Sequence, residues 1–250
     1  MSNIPKIIHY CWFGGKPLPE LAKKCIASWK KYCPDYEIKE WNETNYDLNA
    51  CNYVKEAHAS KKYAFVSDYA RLDILYRYGG IYFDTDVELI KPIDAIVEQG
   101  AFMGVEDIIT NTQRNKITVN PGVGLAAEAG MPIYKELLDF YNTLHFIKSD
   151  ASLNLETIVS YTTKILLNHG LKICTDIQKI AGITIYPKEY FNPCDMRTKN
   201  IVISEKTLSI HHFAGSWLGK KEKFKRLVRK IVGNRIYLFL YSLRRGKNEK

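Results

Sequence analysis

Two aspartates, Asp84 and Asp86, flank one threonine directly after the aromatic–aliphatic run Ile81-Tyr82-Phe83. On a strand, side chains two apart share a face, so two like charges would meet there. The pair asks for a cation or for solvent. Two close carboxylates form a hard oxygen site that suits Mg²⁺ or Mn²⁺, and such ions commonly hold a nucleotide diphosphate. Asp-x-Asp alone is a common pattern. Its place at the carboxyl end of a buried-type strand, where open α/β sheets bind ligands, gives it weight against a solvated acidic turn. A second cluster lies far along the chain in HHFAGSW, residues 211–217. In a strand His211 and His212 point to opposite faces, so only one of them joins the metal. Neutral imidazole is acceptable to Mn²⁺ and less natural for Mg²⁺.

The elements that must position these groups follow from hydrophobic periodicity. Lys6–Phe13 reads as a buried-type strand closed by Gly14-Gly15, Leu18–Tyr32 as a helix, and Tyr36–Trp41 as a second strand. Lys61–Tyr78 is a long helix stopped by Gly79-Gly80, and Ile81–Asp84 is the strand that carries the aspartates. Strands follow at Ala101–Val105 and Val119–Ala126, then helices near Ile133–Phe146 and Leu155–Asn168. Shorter strands are expected at Ile183–Tyr186 and Leu208–Phe213. Strands alternating with helices at this rhythm predict an α/β fold, a mixed or largely parallel sheet covered by helices.

Within the long helix, Asp68 and Arg71 fall on the same face as Ala64, Phe65, Leu72 and Leu75. A charged pair on an apolar face is costly unless paired or needed. It is either a buried structural ion pair or a polar hand reaching toward a hydroxylated ligand beside the aspartate strand. Asp73 and Arg77, four apart on another face, form an ordinary stabilising pair. Trp12, at the end of the first strand, offers an aromatic face that can stack on a base, or belongs to the core.

Apolar content of 46% and charged content of 25% are those of a soluble globular chain. No run of eighteen or more apolar residues predicts a membrane span, and MSNIPKIIHYCWFGG lacks the pattern of a signal peptide. The expected location is cytoplasmic. Six cysteines without a CxxC pair are then reduced thiols. The net charge of +9 belongs to residues 220–250, where Lys and Arg crowd around only Glu222 and Glu249, while residues 1–219 are near neutral. This argues against a nucleic-acid partner. Phe224, Leu227, Val228, Ile231 and Val232 lie at helical spacing within that basic stretch, followed by the apolar IYLFLYSL. An amphipathic basic tail of this kind reads as a dock on an anionic membrane surface, here the inner face of the plasma membrane, or as a helix packed on the body. The expected division is a catalytic domain over 1–219 and a tail over 220–250.

IPKIIHYCWFGG, SWKKYCPDYEIKEWNETN, SDYARLDILYRYGGIYFDTDVELIKPI and HHFAGSW occur in an order that resembles the DXD-containing sugar glycosyltransferases. That family includes bacterial capsule and lipopolysaccharide sugar transferases and fungal outer-chain-initiating mannosyltransferases. The glucosylating clostridial toxins and glycogenin-like enzymes are more distantly similar. The resemblance implies a GT-A fold, Rossmann-like in its nucleotide-binding half, a nucleotide-sugar donor, Mn²⁺ or Mg²⁺, and transfer with retention. By position, it implies that Trp12 stacks on the base and that Asp68 and Arg71 hold the donor sugar's hydroxyls near the diphosphate. Tyr82 lines the nucleotide site, Asp84 contacts ribose and metal, and Asp86 is the direct metal ligand. His212 is the preferred third ligand, with His211 as the alternative, and Ser216 and Trp217 close over the diphosphate. Asn120, in VNPGVGLAAEAG, stands where many relatives carry Asn-Ala, and SLNLETIVSYTTKIL lacks the Gly-Pro that often opens that helix; these segments shape the acceptor site.

The expected activity is transfer of a hexose from UDP-galactose or UDP-glucose, or next GDP-mannose. The acceptor is a glycan or lipid-linked oligosaccharide of surface polysaccharide synthesis. A metal-dependent phosphohydrolase would need more ligands than the chain offers. A nucleotide-sugar-binding or membrane-docked module with a dead site is opposed by intact Asp68, Arg71, Asp84, Asp86 and His212.

Overall fold

The first strand, β1 (Ile7–Cys11), is built of β-branched and aromatic residues, and its side chains alternate between two cores. Ile8 and Tyr10 enter one apolar cluster with Cys25, Trp29, Ile81, Phe83 and Phe102. Cys11 enters the other, with Phe65, Leu72, Tyr82 and Met103. A strand covered on both faces must be apolar at nearly every position, which is why this segment shows no polar face. The computed structural model of the protein describes residues 2–110, 115–195 and 200–215.

Helix α1 (Glu20–Tyr32) buries the stripe Ala22, Cys25 and Trp29, and β2 (Glu37–Trp41) then pairs in parallel with β1. Helices α2 (Asn52–Ala59) and α3 (Tyr63–Tyr78) pack on the other face of the sheet. Gly79 ends α3 with φ +66, its N–H on the Leu75 carbonyl at 2.9 Å, as the glycine pair promised. Next come β3 (Gly80–Tyr82), β4 (Val87–Leu89) and the single turn α4 (Asp94–Val97). The long strands β5 (Phe102–Thr110) and β6 (Asn115–Ala127) follow, then α5 (Pro132–Asn142) and α6 (Ile158–Asn168). The remaining elements are β7 (Gln178–Ile180), β8 (Ile183–Tyr186), α7 (Lys188–Phe191) and β9 (Ser209–His211).

The seven-stranded sheet has the order β2-β1-β3-β6-β5-β8-β7. Strands β2, β1, β3, β5 and β8 share one direction, while β6 and β7 run against it. The sheet is thus mixed and mostly parallel, with helices on it, as expected. A separate antiparallel ribbon joins β4 to β9.

Several expectations change in detail. The aspartate strand ends at Tyr82, so Asp84 and Asp86 occupy the turn between β3 and β4, closed by Val87 N–H on the Asp84 carbonyl at 3.0 Å. They are therefore not two residues of one strand face. The last strand stops at His211 rather than Phe213, because Phe213 takes a positive φ of 49° that no strand continues. Helix α2 and strands β4 and β7 were not read from the sequence. Each is three to eight residues long, too short to show a period.

Candidate active site

Parallel pairing of Ile8 with Ile81 and His9 with Tyr82 brings the carboxyl ends of β1 and β3 side by side. Trp12 leaves the first and Asp84 the second. Behind them, α3 delivers Arg71 from below. Its guanidinium is 4% exposed and bridges two carboxylates, with Nη2 at 3.0 Å from Asp68 Oδ1 and 3.1 Å from Asp84 Oδ1. Nε donates to the Ser67 carbonyl at 3.0 Å, and the charge sits 4.8 Å from the centre of the Tyr82 ring. Tyr82 is buried and its hydroxyl donates to Asp84 Oδ1 at 3.2 Å.

Burial would lower the Arg71 pKa, but Asp84, Tyr82 and Asp68 around it push it up, so the cation is permanent. Asp68 is the counterpart. Burial raises its carboxyl to about 6, Asp84 adds to the rise, and Arg71 opposes it. The Ile158 N–H, at the start of α6, reaches Asp68 Oδ2 at 3.4 Å. The buried pair read from the helix face is therefore part of a triad that locks Asp84.

Asp86 is held from the opposite side by the β4–β9 ribbon. His211 pairs with Val87 in register, and its Nε2 stands 3.1 Å from Asp86 Oδ1. Asp86 Oδ2 accepts the Ala214 N–H at 2.7 Å, and the Asp86 carbonyl accepts the His212 N–H at 2.9 Å. Burial works against the charge on Asp86, yet the hydrogen bonds from His211 and the Ala214 amide hold its pKa below the usual value. For the same reason the His211 imidazole is raised despite its burial, by its bond to Asp86. The Phe213 ring packs on it, centroids 4.1 Å apart.

His212, the expected third ligand, lies away from the aspartates. Alternation along the strand end turns it to the other face, where Nε2 meets Glu88 Oε2 at 2.8 Å and Lys24 holds the same carboxylate at 3.0 Å. Ligand atoms of Asp84, Asp86 and His211 lie within 4.8 Å of one another. Two carboxylates and one imidazole fit a divalent ion such as Mn²⁺. His211 Nδ1 is buried without a hydrogen-bond partner among the described residues, so the ring's polar engagement is through Nε2 at the aspartates.

Trp12 is half-buried, with Nε1 on the Lys16 carbonyl at 2.5 Å and its backbone N–H on that of Trp41 at 2.8 Å. Ser216, Trp217 and the tail over 220–250 lie outside the described residues.

Sequence reasoning missed how β6 enters the site. Pairing runs from Met103↔Leu125 to Gly104↔Asn120, so residues 121–124 form a bulge on β6. Gly122 presses on the aspartate: its carbonyl accepts the Asp84 N–H at 3.2 Å, and a Cβ on it would lie 2.0 Å from Asp84 Oδ2. The signal was legible in VNPGVG, since glycine inside a strand marks a bulge or a close backbone approach. Gly104 and Gly124 make room for Phe191, whose ring would sit 3.0 and 2.9 Å from a Cβ on each.

Residues 19–103, which include α1, α3 and the Asp84–Asp86 turn, match the family model described as the glycosyltransferase sugar-binding region containing the DXD motif. Over these residues the chain is similar to the DXD glycosyltransferase family. Asp84-Thr85-Asp86 is the Asp-x-Asp of the matched stretch, and it lies against a mixed, mostly parallel sheet with helices around it. Inositol phosphoceramide mannosyltransferase 1 of Schizosaccharomyces pombe (strain 972 / ATCC 24843) is 28% identical over 114 residues, 41% of this chain and 34% of that protein. Inositol phosphoceramide mannosyltransferase 3 of the same organism is 32% identical over 110 residues, 41% of this chain and 30% of that protein. The matched stretch spans about a third of the length of these two relatives. The solved structure of the PaToxG glycosyltransferase is 21% identical, covers 67% of this chain and 70% of that one, and superposes with a TM-score of 0.49.

Proposed function

We propose that the protein is a metal-dependent retaining glycosyltransferase that moves a hexose from a nucleotide sugar to a glycan or lipid-linked acceptor. The observation that carries this reading is the convergence of Asp84, Asp86 and His211, from two separate sheets, around one point at the carboxyl ends of β1 and β3. Asp84, Asp86 and His211 would hold Mn²⁺ or Mg²⁺, which when bound supplies a Lewis acid that neutralises charge growing on a departing diphosphate. Asp68 and Arg71 are proposed to take the donor sugar's hydroxyls, with Arg71 adding fixed positive charge in a buried setting where it counts for more than in water. Trp12 is proposed to stack on the base, Tyr82 to line the nucleotide site while its hydroxyl holds Asp84, and Ser216 and Trp217 to close over the diphosphate.

Among donors, the names of the fungal relatives bring mannose forward beside galactose and glucose, so GDP-mannose, UDP-galactose and UDP-glucose form the first panel. The lipid nature of the substrate in those names, with the basic tail, supports an acceptor presented at an anionic membrane surface. With Mn²⁺ present, one of these donors is expected to release nucleoside diphosphate in the presence of acceptor, and Asp86→Ala is expected to abolish that release. Near-normal turnover by Asp86→Ala would sink the metal assignment. Release without the metal would sink metal dependence.

A further inference from the structure

Glu106 is the extra residue of a bulge in β5. Pairing jumps from Val105↔Val119 to Asp107↔Thr118, leaving Glu106 without a strand partner opposite it. Bulges re-aim side chains, and they cluster near active sites. Here the bulge turns a carboxylate inward, and burial raises its pKa. Its Oε2 accepts the Asn120 Nδ2–H at 2.8 Å. Asn120, itself buried, accepts the Gly122 N–H on Oδ1 at 2.7 Å. The Gly122 carbonyl in turn accepts the Asp84 N–H at 3.2 Å. The backbone of Glu106 is anchored as well, its carbonyl taking the Asn192 Nδ2–H at 2.7 Å from a fully buried side chain.

The last link has no slack. A Cβ on Gly122 would stand 2.0 Å from Asp84 Oδ2 and 2.8 Å from Arg71 Nη1. The Gly122 peptide is therefore the wall against which Asp84 and Arg71 are set, and anything that moves it moves the carboxylate. We propose that Glu106 is a positioning residue for the metal site, acting through the Asn120 side chain and the Gly122 peptide to fix Asp84. The proposal rests on the reading of Asp84, Asp86 and His211 as a cation site. It gives β6 its role: the bulge at 121–124 carries the aspartate's support, and Glu106 sets where the bulge stands. Loss of an outer partner of this kind typically costs about 10- to 100-fold in metal affinity.

The test is Mn²⁺ titration of the apo protein, followed by the electron-spin signal of free Mn²⁺, with melting temperature recorded for each variant. Asp86→Ala tests the reading, and Glu106 variants test the inference. Glu106→Ala is expected to weaken Mn²⁺ binding about tenfold, the lower end for an outer partner. Glu106→Gln keeps an amide oxygen for Asn120 Nδ2–H and is expected to bind Mn²⁺ like the wild type. Asn120→Asp sets two carboxylates against each other and is expected to weaken binding. The exchanged pair E106Q/N120D, with donor and acceptor reversed, is expected to regain it. In turnover, Glu106→Ala is expected to raise the Mn²⁺ concentration for half activity while leaving kcat at saturating metal near normal.

Loss of binding in Asp86→Ala with wild-type affinity in Glu106→Ala overturns the inference and leaves the reading standing. Wild-type affinity in Asp86→Ala overturns the reading itself. Should Glu106→Ala fail to fold, the exchanged pair decides: failure to recover the loss caused by Asn120→Asp overturns the relay.

Discussion

At the scale of single residues, the decisive fact is that two adjacent histidines have been dealt to different partners. His211 meets Asp86 at 3.1 Å and His212 meets Glu88 at 2.8 Å, one residue apart on a strand end whose faces alternate. His211→Ala should therefore weaken Mn²⁺ binding by more than about tenfold, a loss seen even for outer partners of metal sites. His212→Ala should leave it near wild type, since it uncouples only Glu88, which Lys24 still holds. Equilibrium Mn²⁺ titration of the two variants checks this, and the opposite ranking would return the ligand role to His212. Strand alternation allows only one of the pair at the aspartates, and the family resemblance preferred His212, whereas the structure sets His211 there. That choice depends on where β9 begins and on its register against β4, set by contacts more than a hundred residues apart in the chain.

At the scale of elements, α3 and β1 show what periodicity can and cannot reveal. The face of α3 that carries Asp68 and Arg71 was legible, as was the Asp73–Arg77 pair, now seen at 3.4 Å. The third partner of Arg71, Asp84, belongs to a turn and was not. Strand β1 holds a further polar group that reads as apolar sequence: His9 is 1% exposed, wedged between β2 and α3's end. Its Nδ1 accepts from Trp41 Nε1 at 3.0 Å, and its Nε2–H donates to the Gly79 carbonyl at 3.1 Å. Burial, with Lys39 nearby, lowers its pKa to about 4, although the Gly79 bond works the other way.

The folded protein thus refuses a proton that the unfolded chain accepts from pH 6.5 downward. Stability from this group is complete above pH 6.5, falls as pH drops toward 4, and levels off below that. The loss amounts to about 3 kcal/mol at most. Urea unfolding between pH 7 and pH 4 should show a shallower fall for His9→Gln than for the wild type, on a lower baseline. Equal slopes would show that His9 is not the titrating group. The longer strands β5 and β6 exceeded their expected bounds for a related reason. Their outer halves pair with each other alone, so the apolar run that marks a buried strand stops before the strand does.

At the scale of the whole molecule, the body and the tail separate in charge before any fold is considered, with the basic excess lying in 220–250. Among the described residues, no helix is long and apolar enough to cross a membrane. Surface docking through the tail is proposed from its pattern of basic and apolar residues. Flotation with liposomes containing anionic lipid should carry the full chain upward, less so as salt rises, and the chain lacking 220–250 should stay behind. Equal flotation of the two would remove the tail from the account. The same comparison on a lipid-borne acceptor should show a higher KM for the shortened chain with kcat little changed.

The sequence by itself determined the layered α/β plan, the helix that presents Asp68 and Arg71, and the strand that leads into Asp84-Thr85-Asp86. Each of these is a local matter: side-chain period, a glycine stop, and apolar residues on both faces of a buried strand. Only the tertiary structure decided that the aspartates sit in a turn, that His211 rather than His212 stands beside them, and that Asn120 and Gly122 of β6, backed by Glu106 of β5, lie against Asp84. Those outcomes depend on register and bulge placement between segments distant in the chain. Register is fixed by packing of the finished sheet, which no local pattern records.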